Sequence, residues 1–376
     1  MTHYSQNSSS SNLQPPASNL VTDRLFIFIM AGGSGERFWP ASRKKTPKHL
    51  LRLLGEKTLL EQTLHRFEGV VPPEQIFILT NEAQRAATIA TIPAHPPKNI
   101  IAEPAKRDTA PAATLATALA RRQHPEAIVG LFPADAMIHD TDVFRAQLLE
   151  AAAMAAQSNA LITFSIPPNQ PSTHFGYLDL GEKIPTKEPQ KAEFRNVRQF
   201  VEKPVLSKAK EFFTSGHHGW NAGMFLWQAS SFLAECERQQ PALASFLEEF
   251  SKTDAPEKFL EKEFSKLPKI SVDYAIMEHA TQVIAASASF DWDDVGHWTA
   301  LPKHLGTNDE GNTLHAAPHD IVTHDATNNI VVSKGKTIAL CGVHDLVVVQ
   351  TADAVLICHR DAVDKIKQLP LPEQLR

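Results

Sequence analysis

The chain has 376 residues, 43% hydrophobic and 21% charged, with a formal net charge of −5. This length suggests two domains and the apolar share can fill a core, which excludes a disordered chain. The mildly acidic balance excludes a broadly basic nucleic-acid surface, and no apolar run approaches the roughly 18–20 residues of a membrane span.

Residues 1–22, rich in Ser, Asn and Pro, lack the basic-then-apolar pattern of a secretory signal and read as a disordered tail. LFIFIM (25–30), QIFILT (75–80), AIVGLF (127–132) and ALITFSI (160–166) are short apolar runs without alternation, the pattern of strands buried on both faces; NIIAE (99–103) is strand-like. Between them TLLEQTLHRF (58–67), NEAQRAATIA (81–90), TAPAATLATALARRQ (109–123) and DVFRAQLLEAAAMAAQ (142–157) read as helices, the third with Thr109 as N-cap and Pro111 in its first turn. Strands alternating with helices predict an α/β fold, a Rossmann-like mostly parallel sheet covered on both faces. HFGYLDLG, VRQFVEK and GMFLWQ are farther apart and read as an insertion walling one side of a cleft. From 307 to 376 the texture becomes a series of short β-rich runs, a small all-β unit, coiled in the manner of a β-helix and closed by a helix AVDKIKQL. No long internal repeat stands out. The expected division is thus a tail to 22, a catalytic domain over 23–306 and the β-rich unit. The three cysteines, Cys236, Cys341 and Cys358, are too few for a disulfide framework and read as reduced thiols of a cytoplasmic protein.

Chemistry concentrates after the first strand, in AGGSGERFWPASRKKTPKHLL. A glycine turn there presents backbone N–H groups to phosphate oxygens. The third glycine and immediate helix of a dinucleotide fingerprint are missing, and so is the Lys-Ser/Thr ending of a P-loop. Glycines alone fit a tight turn beside solvated cations equally well. Arg37, Arg43, Lys44, Lys45 and Lys48, opposed only by Glu36, shift the reading toward a triphosphate. PAD places Asp135 just past the strand 127–132, and FDWDDVGHW carries Asp294 before a Val-Gly turn. Either Asp alone reads as a turn or cap residue; the two together with phosphates make a Mg²⁺ site. VEKP offers Glu202 and Lys203, which alternation points to opposite faces unless the strand ends there. WNAGMFLW offers Asn221 and Gly223 for close approach of a hydroxylated ligand, or an ordinary β-turn.

AGGSGERFWPASR…PKHLL, AEPAKRDTAPA, FPADAMI, THFGYL, FVEKP, WNAGMFLW, SVDYAIME, DWDDVGHW and VVVQTADAVLIC occur in the order they take in sugar-1-phosphate nucleotidyltransferases. Over residues 25–368 the chain resembles most the mannose-1-phosphate guanylyltransferases. The resemblance implies a GT-A-like nucleotidyltransferase domain and a left-handed β-helix-like C-terminal unit. It implies transfer of GMP from GTP to mannose 1-phosphate, giving GDP-mannose, with Mg²⁺ on Asp135 and Asp294. By the same resemblance Arg37 and Lys48 are catalytic. Gly32, Gly33, Gly35, Glu103, Arg107, Thr109, Ala110 and Pro111 hold the nucleotide, and Gly176, Tyr177, Glu202, Lys203, Asn221 and Gly223 hold the sugar phosphate. No nucleic acid or membrane is implied as partner; the β-rich unit is a candidate homodimer surface. Departures are Asp108 for a usual Asn, Ala105-Lys106 before Arg107, His49 for a common Gln and His174-Phe175 for a Gly-Tyr pair. They leave room for another sugar, such as heptose, fucose or glucose 1-phosphate, and a catalytically silent relative is the alternative of a different class.

Overall fold

The computed structural model describes residues 21–186, 190–317 and 320–375. The tail expected over 1–22 therefore lies, but for its last two residues, outside the described residues.

The apolar runs form the strands that their lack of alternation predicts. β1 (Leu25–Met30), β2 (Ile76–Asn81), β3 (Ile100–Glu103), β4 (Ile128–Pro133) and β5 (Leu161–Ile166) are joined by β6 (Tyr177–Lys183), β7 (Glu193–Val201), β8 (His218–Gln228) and β9 (Val283–Ser287). They make one nine-stranded sheet ordered β3-β2-β1-β4-β8-β5-β9-β7-β6, in which β8 also pairs with β6. The half from β3 to β4 is parallel, as is β5 with β9. The remaining pairings are antiparallel because β8 runs back between β4 and β5 and the hairpin β6–β7 closes the far edge. The segments expected to wall one side of a cleft do so as part of the main sheet. Leu25, Ile27 and Ile29 face one apolar core and Phe26 and Phe28 the other, so β1 is buried on both faces.

Side chains cap the helix starts at Thr58 and Asp108, and the cap expected at Thr109 is corrected. Thr58 accepts from Glu61 N–H while the Glu61 carboxylate accepts from Thr58 N–H, a reciprocal cap worth about 1 kcal/mol, and the helix Leu59–Phe67 follows. The helix Thr109–Gln123 is capped by Asp108, whose carboxylate accepts from Thr109 N–H at 2.8 Å. Thr109 itself is the first helical residue and its hydroxyl oxygen accepts from Val272 N–H.

The C-terminal strands are β10 (Thr313–His315), β11 (Ile321–His324), β12 (Ile330–Ser333), β13 (Ile338–Cys341), β14 (Leu346–Gln350) and β15 (Val355–His359). β10, β12 and β14 pair in parallel, as do β11 and β13, and β15 returns antiparallel to β14. Equivalent positions are 17 residues apart, so the chain winds as stacked coils. Asn312 and Asn329 mark this period. The Asn312 side-chain oxygen accepts from Asn329 N–H at 2.8 Å, and that of Asn329 accepts from Leu346 N–H at 2.9 Å. The repeat escapes the sequence because only inward apolar positions and this short ladder obey it. The closing segment is a 3₁₀ run, Arg360–Gln368, rather than an α-helix. Ile330, Val332, Val347, Val349, Val363 and Ile366 share a core with Phe38, Trp39, Leu59, Val295 and Trp298. The β-rich unit is therefore seated against the glycine loop and the DWDDVGHW segment.

Candidate active site

The carboxyl ends of β1 and β4 open on a cleft, where an open α/β sheet binds its ligands. One cavity there, of about 260 Å³, is lined by Met30, Thr109, Pro133, Asp135, Gly176, Glu202, Asn221, Gly223, Asp273 and Asp294. A second, of about 300 Å³, is lined by Arg37, Lys203, Asp293, His297, Lys303 and Asp364. His174, Phe175, Trp292 and Asp294 belong to both, so the cavities adjoin.

Asp135 and Asp294 are far apart in sequence and are drawn together by a two-way backbone bridge. Met137 N–H donates to Asp293 C=O at 2.7 Å and Asp293 N–H to Met137 C=O at 3.0 Å. Lys48 stands between them. Its ammonium donates to Asp135 Oδ2 at 2.9 Å and to the Asp294 carbonyl at 2.7 Å. Burial pushes the Asp135 carboxyl up, but Lys48 more than offsets this and holds it below the usual carboxylate range. Burial pushes Asp294 up; Lys48 opposes, and the charges of Asp293 and Asp135 add to the rise. Among the described residues no protein donor reaches the Asp294 carboxylate. Its neighbour is arranged in the opposite way: Asp293 accepts from Val295 N–H and from Lys303. Of the DWDD run, Asp291 caps the His139–Asp140 turn, Asp293 fixes the loop and Asp294 is left facing the cavities. Two carboxylates on one cavity, one of them without a donor, fit a hard divalent cation that keeps positions for phosphate.

Gly35 shows why the loop needs a glycine there. Its φ is +62°, and a Cβ would come within 2.8 Å of Lys48 N and closer still to Lys48 Cβ. The turn is pressed onto the residue that holds Asp135. Around Gly32 and Gly33 a Cβ would meet nothing within 4 Å, so their backbone is open to approach. His49 is buried beside Lys48, and burial pushes its pKa down to about 4, so it stays neutral.

The cations of the loop are shared with the C-terminal unit. Arg37 Nε lies 2.9 Å from Asp364, Arg43 pairs with Asp353 and Lys44 with Glu373. For two of the five cations the triphosphate expectation is corrected: Arg43 and Lys44 fasten the loop to residues 353 and 373, whereas Arg37 lines the second cavity and Lys48 is held, buried, against Asp135.

In the nucleotide set, Thr109 lines the first cavity. Glu103 ends β3, where burial and then Asp108 push its carboxyl up to about 8. Arg107 donates to the Ser265 carbonyl. Ala110 and Pro111 are buried in the helix start, so any role of theirs passes through the backbone. Asp108 has φ +70° and ψ −172°, a region that costs a non-glycine residue about 1–3 kcal/mol.

In the sugar-phosphate set, β7 ends at Val201 and Lys203 has φ +46°, which breaks the alternation and lets Lys203 Nζ pair with Glu202 Oε1. A Cβ on Gly176 would sit 2.4 Å from Glu202 Oε2, so Gly176 makes room for that carboxylate. Asn221 donates to Asp273 at 3.0 Å and accepts from Thr163 and from Gly223 N–H. Tyr177 is a correction: its ring is fully buried and its hydroxyl accepts from Ser172 N–H, because strand alternation turns it away from the cleft that Gly176 faces. Asp273 is the residue that sequence reasoning missed. Burial and the charge of Glu202 push it up to about 7. The signal was an acidic residue in SVDYAIME, two residues after the N-cap Ser271. Phe175 between Trp220 and Trp292 adds an aromatic wall.

A cleft with carboxylates, an amide and an aromatic wall on one side and cations on the other suits a ligand with both hydroxyls and phosphates. The Nucleotidyl transferase family profile matches residues 27–307, and that of the MannoseP isomerase/GMP-like beta-helix domain matches residues 319–370. The chain is 37% identical to a mannose-1-phosphate guanylyltransferase of Escherichia coli K12 over 93% of its own length and 73% of that protein's. It is 34% identical to the alginate biosynthesis protein AlgA of Pseudomonas syringae pv. tomato, over 91% and 70%. A crystal structure from Thermus thermophilus, described as mannose-1-phosphate geranyltransferase, superposes with a TM-score of 0.82 at 31% identity, covering 92% of this chain and 98% of that one. The chain belongs to the mannose-1-phosphate guanylyltransferase family of nucleotidyltransferases.

Proposed function

We propose that the protein transfers GMP from GTP to α-D-mannose 1-phosphate, giving GDP-mannose and pyrophosphate. The observation that carries this reading is the meeting, at Asp294, of the cavity holding Glu202, Asn221 and Asp273 with the cavity holding Arg37 and Lys203. The carboxylates and the amide suit sugar hydroxyls; the cations suit phosphates.

The sugar phosphate oxygen attacks the α-phosphorus and the bond to pyrophosphate breaks. Both reactants are anions, so alignment and charge compensation supply the catalysis and no covalent enzyme nucleophile is needed. Lys203 holds the attacking phosphate and Glu202 a sugar hydroxyl. Lys48, fixed by Asp135, faces the α-phosphate, and Arg37 faces the leaving pyrophosphate. Gly32 and Gly33 give the nucleotide backbone approach. Asp135 and Asp294 would hold a Mg²⁺ ion, which would supply positive charge to the reacting phosphates.

The test is pyrophosphate release by the purified protein with Mg²⁺, crossing GTP, ATP, UTP, CTP and dTTP against mannose, glucose, fucose and heptose 1-phosphates. Release with GTP and mannose 1-phosphate alone is the expected result. Release with another pair corrects the specificity, and none with any pair from folded protein overturns the activity.

A further inference from the structure

Asp179, His217 and His218 lie outside both cavities, on the pair β6–β8, with Asp179 directly opposite His218 in register. One ligand atom from each falls within 4.8 Å of the others, and His217 Nε2 is 3.7 Å from Asp179 Oδ1. We propose that these three side chains form a binding site for a divalent transition metal of the zinc class.

The argument rests on where the ring protons must be. His217 Nδ1 is 3.1 Å from the Ser215 carbonyl, which only accepts, so this nitrogen carries the hydrogen. Ser215 Oγ donates its single hydrogen to the Phe212 carbonyl at 2.7 Å. Toward His218 Nδ1, also at 2.7 Å, it can then only accept, so that nitrogen carries a hydrogen too. In its neutral form each ring then carries its hydrogen on Nδ1 and leaves the Nε2 lone pair bare. Holding Nδ1–H on an oxygen is the arrangement that orients an imidazole for metal binding through Nε2. Phe212 stacks on His218 at 4.2 Å and steadies it. The bare His217 Nε2 lies 3.7 Å from Asp179 Oδ1, two acceptors with no hydrogen between them, and His218 offers a third ligand atom to the same cluster; a cation resolves that conflict.

Arg198 is the competitor. It donates to Asp179 Oδ1 at 2.7 Å and to Oδ2 at 3.2 Å. Each carboxylate oxygen has two lone pairs, so Oδ1 keeps one for an ion. Two imidazoles and one carboxylate leave a fourth position for water, as zinc and cobalt accept. Metal–nitrogen bonds of about 2.0–2.1 Å require the three ligands to draw together; the half-exposed His217 is the one with room to move. Bound there, the ion clips β6, which follows Gly176, to the start of β8, which carries Asn221.

The test uses the full chain, freed of metal by a chelator and then titrated with Zn²⁺ calorimetrically and with Co²⁺ by visible absorption, in excess Mg²⁺ to occupy the cleft. One saturable site per chain is expected. It should weaken at least tenfold in His217→Ala and in His218→Gln, and tighten in Arg198→Ala, where the competing cation is gone. Circular dichroism and Mg²⁺-dependent pyrophosphate release of the His217→Ala protein check that it is folded. No saturable binding, binding as tight as the wild type in both histidine variants, or a loss confined to Asp135→Asn overturns the proposal.

Discussion

Arg37 Nε lies 2.9 Å from Asp364 Oδ1, across from the glycine loop to the C-terminal 3₁₀ run, yet neither atom makes an aligned hydrogen bond. The pair is an ion contact in which the guanidinium still has donors to offer the cavity. A phosphate arriving there meets the Asp364 charge as well as that of Arg37. Asp364→Ala should therefore lower the KM for the nucleoside triphosphate, whereas Arg37→Ala should cut kcat by about 10²-fold, the scale of one lost transition-state contact. Initial rates of pyrophosphate release check both; a raised KM in Asp364→Ala would instead make Asp364 a positioning residue for Arg37.

The two adjacent carboxylates of DWDD should separate cleanly. Asp294→Asn is expected to lower turnover by about 10²-fold or more and leave the melting temperature near that of the wild type, since no protein donor among the described residues depends on its carboxylate. Asp293→Ala strands Val295 N–H and Lys303, and should lower stability by about 1–3 kcal/mol, read as a shift in denaturant midpoint. Near-normal turnover of Asp294→Asn at saturating Mg²⁺ would refute its role as a metal ligand.

Lys203→Ala should raise the KM for the sugar phosphate and leave that for the nucleotide largely unchanged. Burial pulls the Lys203 pKa down, but contact with Glu202 and the nearby Asp273 hold it above the ordinary lysine value, so its charge persists through the working pH range. A change confined to the nucleotide KM would move Lys203 to the other subsite.

Glu103 gives a pH prediction. Its carboxyl is raised by burial and by Asp108 from 4.5 to about 8. The folded state thus binds more protons than the unfolded state between those values, and stability falls as pH rises through that window. Glu103→Gln, which mimics the protonated form, should melt close to the wild type below about pH 5 and above it at about pH 9. Parallel melting curves at all pH values would contradict the raised pKa.

The continuous apolar runs at 25–30 and 127–132 need two covered faces, and that requirement alone made them central strands. Asp135 was legible because it follows such a strand, and strand ends point into the cleft of an α/β sheet. Glu202 and Lys203 were left open because alternation holds only while a strand continues; the positive φ of Lys203 decided the matter. Tyr177 was misjudged because a motif marks a stretch of chain, while the pleat decides which of its side chains turn toward the cleft. Asp273 stayed hidden because its importance lies in Asn221 and Glu202, each more than 50 residues away.

By itself, then, the sequence determined the strands of the parallel half, the helices between them and the order of the chemical segments, since these follow from local pattern and nearest neighbours. Tertiary structure decided the assignment of charges. Whether a lysine or arginine of the opening loop serves a ligand or the protein depends on which carboxylate lies within about 4 Å of it, where Coulomb attraction exceeds thermal energy even near the surface. The partners Asp353, Asp364 and Glu373 come from the far end of the chain, and only folding brings them there.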